Sequence, residues 1–481
     1  MSFSSGALAL IPLDARPCTR AFPAAIGRIG GLDVRIPPPE LLGDLERVAP
    51  IDELFDWLEA QARVVDAAVV ALDTLVYGGL IPARRSTEPI DTLLARLARV
   101  RDLPIASLYA FSVTMRISNS DVAEEEKPYW SEYGPTIYQW SFFSDKFDRT
   151  REPEAARLAQ AARKSIPDAI AEDYLATRRR NYAINLKELE LAEEGRFRVL
   201  CLTQDDTSPY GFNQAEKRQM EARGIPNVLI YPGADEVASC LVGRCLNERE
   251  GKVPVFRIRS FPESGGDLVA MYEDRPMRST AAGQIHAAGG RMPHEGEAAD
   301  LEILLNTPAS GQGDLALRID MEKVDTPPRD LAPLVERLNT GLPAAFADIA
   351  YANGADPLLW ERLAGGFRPE GVAAFGAWNT AGNTLGTVVA TASAYLTGPR
   401  DGAAHRQFIL DRLADDFLYQ SVLRPQLQQE ARPIVQVEAD LGNRLAALWQ
   451  ARLPHLPING ISARLPWGRL FEADITVAAA D

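Results

Sequence analysis

With 481 residues, 46% of them hydrophobic, the chain is long enough for more than one core, because single cores stop growing near about 250 to 300 residues. Its 51 Lys and Arg against 66 Asp and Glu leave a formal charge of -15, which disfavours nucleic acid and anionic membrane surfaces as partners. No apolar run approaches the ~20 residues that span a bilayer, and Met1 to Leu13 lacks the basic flank and long apolar stretch of a secretion signal. A cytoplasmic protein is expected.

Short apolar runs rich in Ala, Val, Ile and Leu recur along the chain, each followed by a segment of helical period, which is the pattern of parallel strands joined by helices. They are Ala7 to Leu13, Asp33 to Ile36, Ala67 to Leu72, Ile105 to Tyr109, Arg198 to Thr203, Val228 to Tyr231, Val253 to Ile258, Leu301 to Leu305, Ala347 to Tyr351 and Val372 to Phe375. Their number exceeds the eight strands of one barrel, so two doubly wound α/β lobes around a cleft are expected; a decorated (β/α)8 barrel is the alternative.

The first lobe is expected over 1–260, with a helical insertion at about 122–195 where Lys, Arg, Glu and Ala dominate. Eight aromatics between Tyr129 and Phe147 suit either a packing stripe or a flat amphipathic ligand. Ser260 to Gly266 and Ala281 to Gly290 are rich in Gly and Ser or lack strong periodicity, which places a boundary near 259–300 and a second α/β lobe over 261–400. From 401 to 481 a helical closing segment follows, with Leu470 to Ala478 as a last edge strand.

In parallel α/β sheets the loops after the strand carboxyl ends converge on one edge, so polar residues there are the candidate site. After the first run come Asp14 and Arg16, readable as substrate contacts or as a structural ion pair. After the third come Asp73, Tyr77, a Gly-Gly turn and Arg84. After the fifth, Asp205 and Asp206 stand side by side, followed by Tyr210. Two adjacent carboxylates at a buried strand end are costly to hold ionised unless they are paired, bound to metal, or split into one protonated and one charged member, and the split is what acid/base chemistry uses. The alternative is an acidic helix cap.

Asp235 and Glu236 follow the sixth run, with a helix-cap reading beside the functional one. Asn353 and Asp356 follow the ninth, and Trp378, Asn379, Thr380 and Asn383 the tenth, where Asn and Thr offer donors and acceptors for hydroxyl or amide groups or cap a helix beginning at Leu385.

Phosphate-binding, dinucleotide, serine-hydrolase and HExxH signatures are absent from the sequence, and no cofactor is expected. Cys18, Cys201, Cys240 and Cys245 form no CxxC pair and are expected to be buried and inert. His286 and His294 are expected in one Gly-rich loop, where they are solvated surface or, less simply, a metal pair.

The combination IPLDARP, DTLVYGGLIPAR, TQDDTSPYG, YPGADE and WNTAGNTLG resembles a bacterial family, domain of unknown function 4127, over most of the chain. The resemblance implies that these motifs belong to one protein type, and it brings no reaction with it. The adjacent carboxylates are also loosely similar to those of glycoside hydrolases acting on N-acetylated sugars, in which one carboxylate orients the acetamido group and the other protonates the leaving oxygen.

These readings lead to a hydrolase for a polar, carbohydrate-like small molecule, with Asp205, Asp206 and Asp73 as catalytic carboxylates. Asp14, Arg16, Tyr77, Arg84, Tyr210, Asp235, Glu236, Asn353, Asp356, Trp378, Asn379, Thr380 and Asn383 would bind substrate. The alternatives are an enzyme holding Mg²⁺ or Mn²⁺ on Asp14, Asp73, Asp205 and Asp206, and a two-lobed binding protein without turnover. Oligomeric state has no signal in the sequence.

Overall fold

The computed structural model describes residues 6–480; Met1 to Ser5, within the stretch read against a secretion signal, lie outside the described residues. The strands are β1 (Ala7–Ile11), β2 (Asp33–Arg35), β3 (Ala67–Ala71), β4 (Ser107–Thr114), β5 (Val199–Gln204), β6 (Val228–Pro232), β7 (Phe256–Phe261), β8 (Leu301–Asn306), β9 (Gly313–Asp314), β10 (Ala345–Asp348), β11 (Tyr351–Ala352), β12 (Ala374–Gly376), β13 (Ile458–Arg464) and β14 (Asp474–Ala479). Two parallel sheets hold the α/β framework, in the orders β2-β1-β3-β4-β5-β6 and β12-β10-β8-β7. The second sheet opens at Phe256, after the helix Val237–Arg249 that follows the last strand of the first.

Both faces of each sheet are covered, because successive side chains of a strand point to opposite sides. In β3, Ala67, Val69 and Ala71 join the core beneath helices Pro17–Ile29 and Val237–Arg249. Ala68 and Val70 join the opposite core with Leu54, Leu93, Leu97 and Ile184. Each fully buried Val or Leu contributes roughly 1.5–3 kcal/mol, so near-continuous apolar strands are what a doubly covered sheet demands.

Helix Ala381–Leu396 lies between the two sheets. Its Ala390 and Ala394 pack into the first sheet's core, while Leu385, Val388 and Val389 pack under the second. Small residues permit this approach, as at Gly243, where an added Cβ would stand 3.2 Å from the Ala390 backbone. The other face of the second sheet is closed by the C-terminal segment, including Phe417, Leu441 and Trp449.

Several boundaries differ from the sequence reading. β4 runs on to Thr114 instead of ending at Tyr109, and Ala347 to Tyr351 spans a break between β10 and β11. The final strand pairs antiparallel with β13 in a hairpin of its own and is not an edge of either parallel sheet. Ala281 to Ala287 is helical within Met277–Ala287, which also carries His286, so His286 and His294 do not share a loop. The helix expected from Leu385 begins at Ala381, where the Thr380 hydroxyl accepts the Asn383 N–H.

The insertion forms helices Trp130–Thr150, Pro153–Lys164 and Asp168–Glu193, and the last of these returns to the first sheet through Ile184 and Leu189. The aromatic stripe is largely packing: Trp130 is buried against Tyr174, and Trp140 meets Phe212 edge-on. All four cysteines are free and buried. Among the described residues no helix is long and apolar enough to cross a membrane.

Candidate functional site

A cavity of about 260 Å³ opens where the carboxyl ends of the two sheets face each other. The first sheet supplies Arg16 after β1, Arg116 and Ser118 to Ser120 after β4, Asp205 and Asp206 after β5, and Asp235 after β6. Asn353 follows β11, and Asn379 and Thr380 follow β12. Tyr272, Leu317, Arg424, Gln428, Arg469 and Phe471 also line the cavity, with Glu124 and Glu125.

The two aspartates are held unequally. Arg84 Nη2 donates to Asp205 Oδ2 at 2.5 Å. Arg116 Nη1 donates to Asp206 Oδ2 at 2.8 Å and lies 3.5 Å from Asp205 Oδ2. Asp206 takes a left-handed backbone, φ 40°, a conformation Asp tolerates better than most residues, and this turn lets both carboxylates face the cavity. Burial pushes the Asp206 carboxyl up to about 7; Arg116 opposes the shift and Asp205 adds to it. A carboxyl poised near neutrality beside one that has two arginines in ion-pair range is an acid/base arrangement.

Around them runs a continuous network of arginines and acids. Arg116 also donates to Glu126 at 2.7 Å and Glu125 at 3.0 Å. Glu125 in turn accepts from Arg84 at 3.0 Å and Arg469 at 2.9 Å. Burial pushes Glu125 up, but Arg116, Arg84 and Arg469 outweigh it and hold the carboxyl well below the usual range. Arg469 closes the ring on Glu124 and Glu472.

On the opposite side Arg16 bridges Asp14, through Nη2 at 2.7 Å, and Asp235, through Nη1 at 3.0 Å and Nη2 at 2.6 Å. Burial raises Asp235 to about 6 against the pull of Arg16. The Asp235 N–H donates to Asn383 Oδ1 at 3.3 Å, which ties the first sheet's edge to the inter-sheet helix.

Thus Arg16, Asp205, Asp206, Asp235, Asn353, Asn379 and Thr380, all singled out in the sequence, line one cavity. Other expected residues stand behind or apart. Asp73 is buried, accepts the Val113 N–H at 2.8 Å and is raised by burial to about 7; it does not reach the cavity wall and is replaced there by Arg116. Asp14 and Arg84 are buried partners of Arg16 and Asp205. Tyr77 is buried beneath Arg180, and Tyr210 packs on Phe142 and Arg149 outside the cavity. Glu236 does not cap its helix; it accepts from Gln284 at 2.6 Å.

Asp356 is fully buried, caps helix Pro357–Leu363 and pairs with Arg329 at 2.7 Å. Trp378 is buried against Phe471. Asp14, Asp73, Asp205 and Asp206 do not converge on a common point: each carboxylate is committed to an arginine or a backbone N–H. Among the described residues no group of three or more His, Cys, Asp or Glu side chains is placed to share a metal ion.

A family model described as a protein of unknown function (DUF4127) matches residues 8–476 of the chain. No curated protein and no solved structure matches it.

Proposed function

The chain belongs to the DUF4127 family, and we propose that it is a hydrolase acting on a polar, carbohydrate-like substrate through Asp205 and Asp206. The observation that carries this reading is the unequal holding of two adjacent carboxylates in one cavity, Asp205 by both Arg84 and Arg116 and Asp206 by Arg116 alone. Asp206, raised toward neutrality by burial, is the proton donor to the leaving oxygen as the glycosidic C–O bond breaks.

For an N-acetylated sugar, Asp205 accepts the acetamido N–H and steadies attack of the acetamido oxygen on the anomeric carbon. Water then opens the resulting oxazolinium and returns a proton to Asp206. Asn353, Asn379 and Thr380, on the facing sheet edge, supply amide and hydroxyl groups for the sugar hydroxyls.

The test is chromophore release from a panel of aryl glycosides, including N-acetylhexosaminides, by wild type and Asp206→Asn, with and without chelator. Turnover that needs Asp206 and survives chelation supports the reading. Chelator-sensitive turnover replaces it with metal-dependent chemistry, and absence of turnover across the panel replaces it with ligand binding.

A further inference from the structure

Of the four arginines lining the cavity, Arg16, Arg116 and Arg469 each have a carboxylate within ion-pair distance, whereas Arg424 has none among the described residues. Arg424 is only 4% exposed, and its Nε has no hydrogen-bond partner among the described residues. Nη1 donates to Gln420 Oε1 at 2.8 Å, and the guanidinium lies 4.7 Å from the Phe471 ring centre. The adjoining acids are engaged elsewhere: Asp314 accepts from Tyr272 and Asn353, and Glu472 from Arg469. A guanidinium taken from water without an anion is costly, and this one stands in the wall of the cavity that Gln428 and Asn353 also line.

We infer that the ligand of this cavity carries a carboxylate that pairs with Arg424, which makes the substrate an acidic sugar of the uronic-acid type. This rests on the cavity being the hydrolytic site proposed above, and it adds the charge of the substrate. The wall favours a monoanion: Arg424 is the one lining arginine without a carboxylate of its own among the described residues, so it offers a single charge, while the five lining acids Glu124, Glu125, Asp205, Asp206 and Asp235 would repel the second charge of a dianionic phosphate. A planar carboxylate also matches the fork of a guanidinium in a way that a neutral hydroxymethyl does not.

The placement of Arg424 follows from the C-terminal helices. The stretch Leu413–Leu423 is wound as a π-helix and runs directly into Arg424–Glu430, which sets Gln420 against Arg424 and leads Arg424 and Gln428 to the same wall. π-Helical turns are rare, and those that occur are frequently at functional sites.

The experiment measures binding by calorimetry for matched probes: glucuronate against glucose, galacturonate against galactose, mannuronate against mannose, and glucose 6-phosphate as the dianion. In the wild type at least one uronate is expected to bind roughly 10- to 100-fold more tightly than its neutral partner, the range for a charged hydrogen-bonded contact. Arg424→Gln is expected to abolish that ratio, and Arg424→Lys to retain part of it. Urea midpoints establish that each variant is folded.

A wild-type panel in which no uronate exceeds its neutral partner overturns the inference without recourse to any variant, as does a ratio that survives in folded Arg424→Gln. Preference for glucose 6-phosphate assigns a phosphate site instead. Arg424-dependent uronate binding with no glycoside turnover would uphold the anion site while removing the hydrolase reading.

Discussion

Arg16 and Asp235, 219 residues apart, meet face to face, with Nη1 3.0 Å from Oδ2 and Nη2 2.6 Å from Oδ1. Asp14 closes the other side of the same guanidinium, so one buried cation holds the loops after β1 and β6 against each other. Arg16→Met leaves Asp14 and Asp235 buried without a counter-ion, and the expected loss of stability is about 3–5 kcal/mol near pH 8. At pH 5 the loss should shrink, because uncompensated buried carboxylates take up protons. Urea midpoints at the two pH values check this; equal losses at both would assign the effect to packing.

Asp206 sets the expected pH profile of activity. Its carboxyl is raised to about 7, and a proton donor is active only while protonated, so the rate should fall as pH rises through about 7. Arg116 pulls that value down. Arg116→Met should therefore move the alkaline limb upward in pH, at reduced rate, because Glu125 and Glu126 lose a partner as well. Profiles of kcat/KM for wild type and variant decide the matter: an unmoved limb would mean that another group donates the proton.

The strand-end rule made much of this site legible from sequence. Apolar runs located β1, β5 and β6 to within two residues, so Arg16, Asp205, Asp206 and Asp235 were found where polar residues follow such runs. Arg116 was missed because β4 continues through Ser112 and Thr114, polar residues that are buried and hydrogen-bonded in the sheet, which hid the true strand end. Arg424, Arg469 and Phe471 leave no local mark: they reach the cavity only through the tertiary packing of the C-terminal helices and hairpin. Asp356 and Glu236 share the local pattern of the site residues, but each found a buried partner, Arg329 and Gln284, away from the cavity.

Buried carboxylates outside the cavity set the pH dependence of stability. Burial raises Asp73 to about 7, and Glu188 and Glu236 to about 8. Folded values above the unfolded ones mean that the native state binds more protons, so stability falls as pH rises from about 4 to 8. Glu188 is the clearest case: its Oε2 accepts from Asn185 at 2.9 Å, while the buried Oε1 has no hydrogen-bond partner among the described residues. Glu188→Gln keeps the shape without the charge. It should be more stable than wild type at pH 8.5, by roughly 1 kcal/mol or more, and within about 0.5 kcal/mol of it at pH 5. Denaturation at both pH values checks the sign; a variant less stable at pH 8.5 would show that the charged carboxylate is compensated in the fold.

The inter-sheet helix Ala381–Leu396 carries a sharper test of how the two sheets are joined. A Cβ on Gly386 would stand 2.1 Å from Glu236 Cγ, 2.8 Å from Gln284 Oε1 and 3.0 Å from Cys240 Sγ. Glu236 and Gln284 are buried and bonded to each other, so neither has room to give. Alanine normally favours a helix interior over glycine by ~1 kcal/mol, but overpacking of this kind typically costs ~1–3 kcal/mol. Gly386→Ala is therefore expected to destabilise the protein on balance. Because Glu236 adjoins Asp235, the displaced side chain also presses on the Arg16 pair, and ligand binding in the cavity should weaken with stability. Gly402, at the start of helix Gly402–Arg412, has nothing within 4 Å of its added Cβ, and Gly402→Ala should leave both properties unchanged. Urea midpoints and binding measured on the two variants together decide it: if Gly386→Ala matches Gly402→Ala in both, the helix is not packed against Glu236 and Gln284 as closely as described.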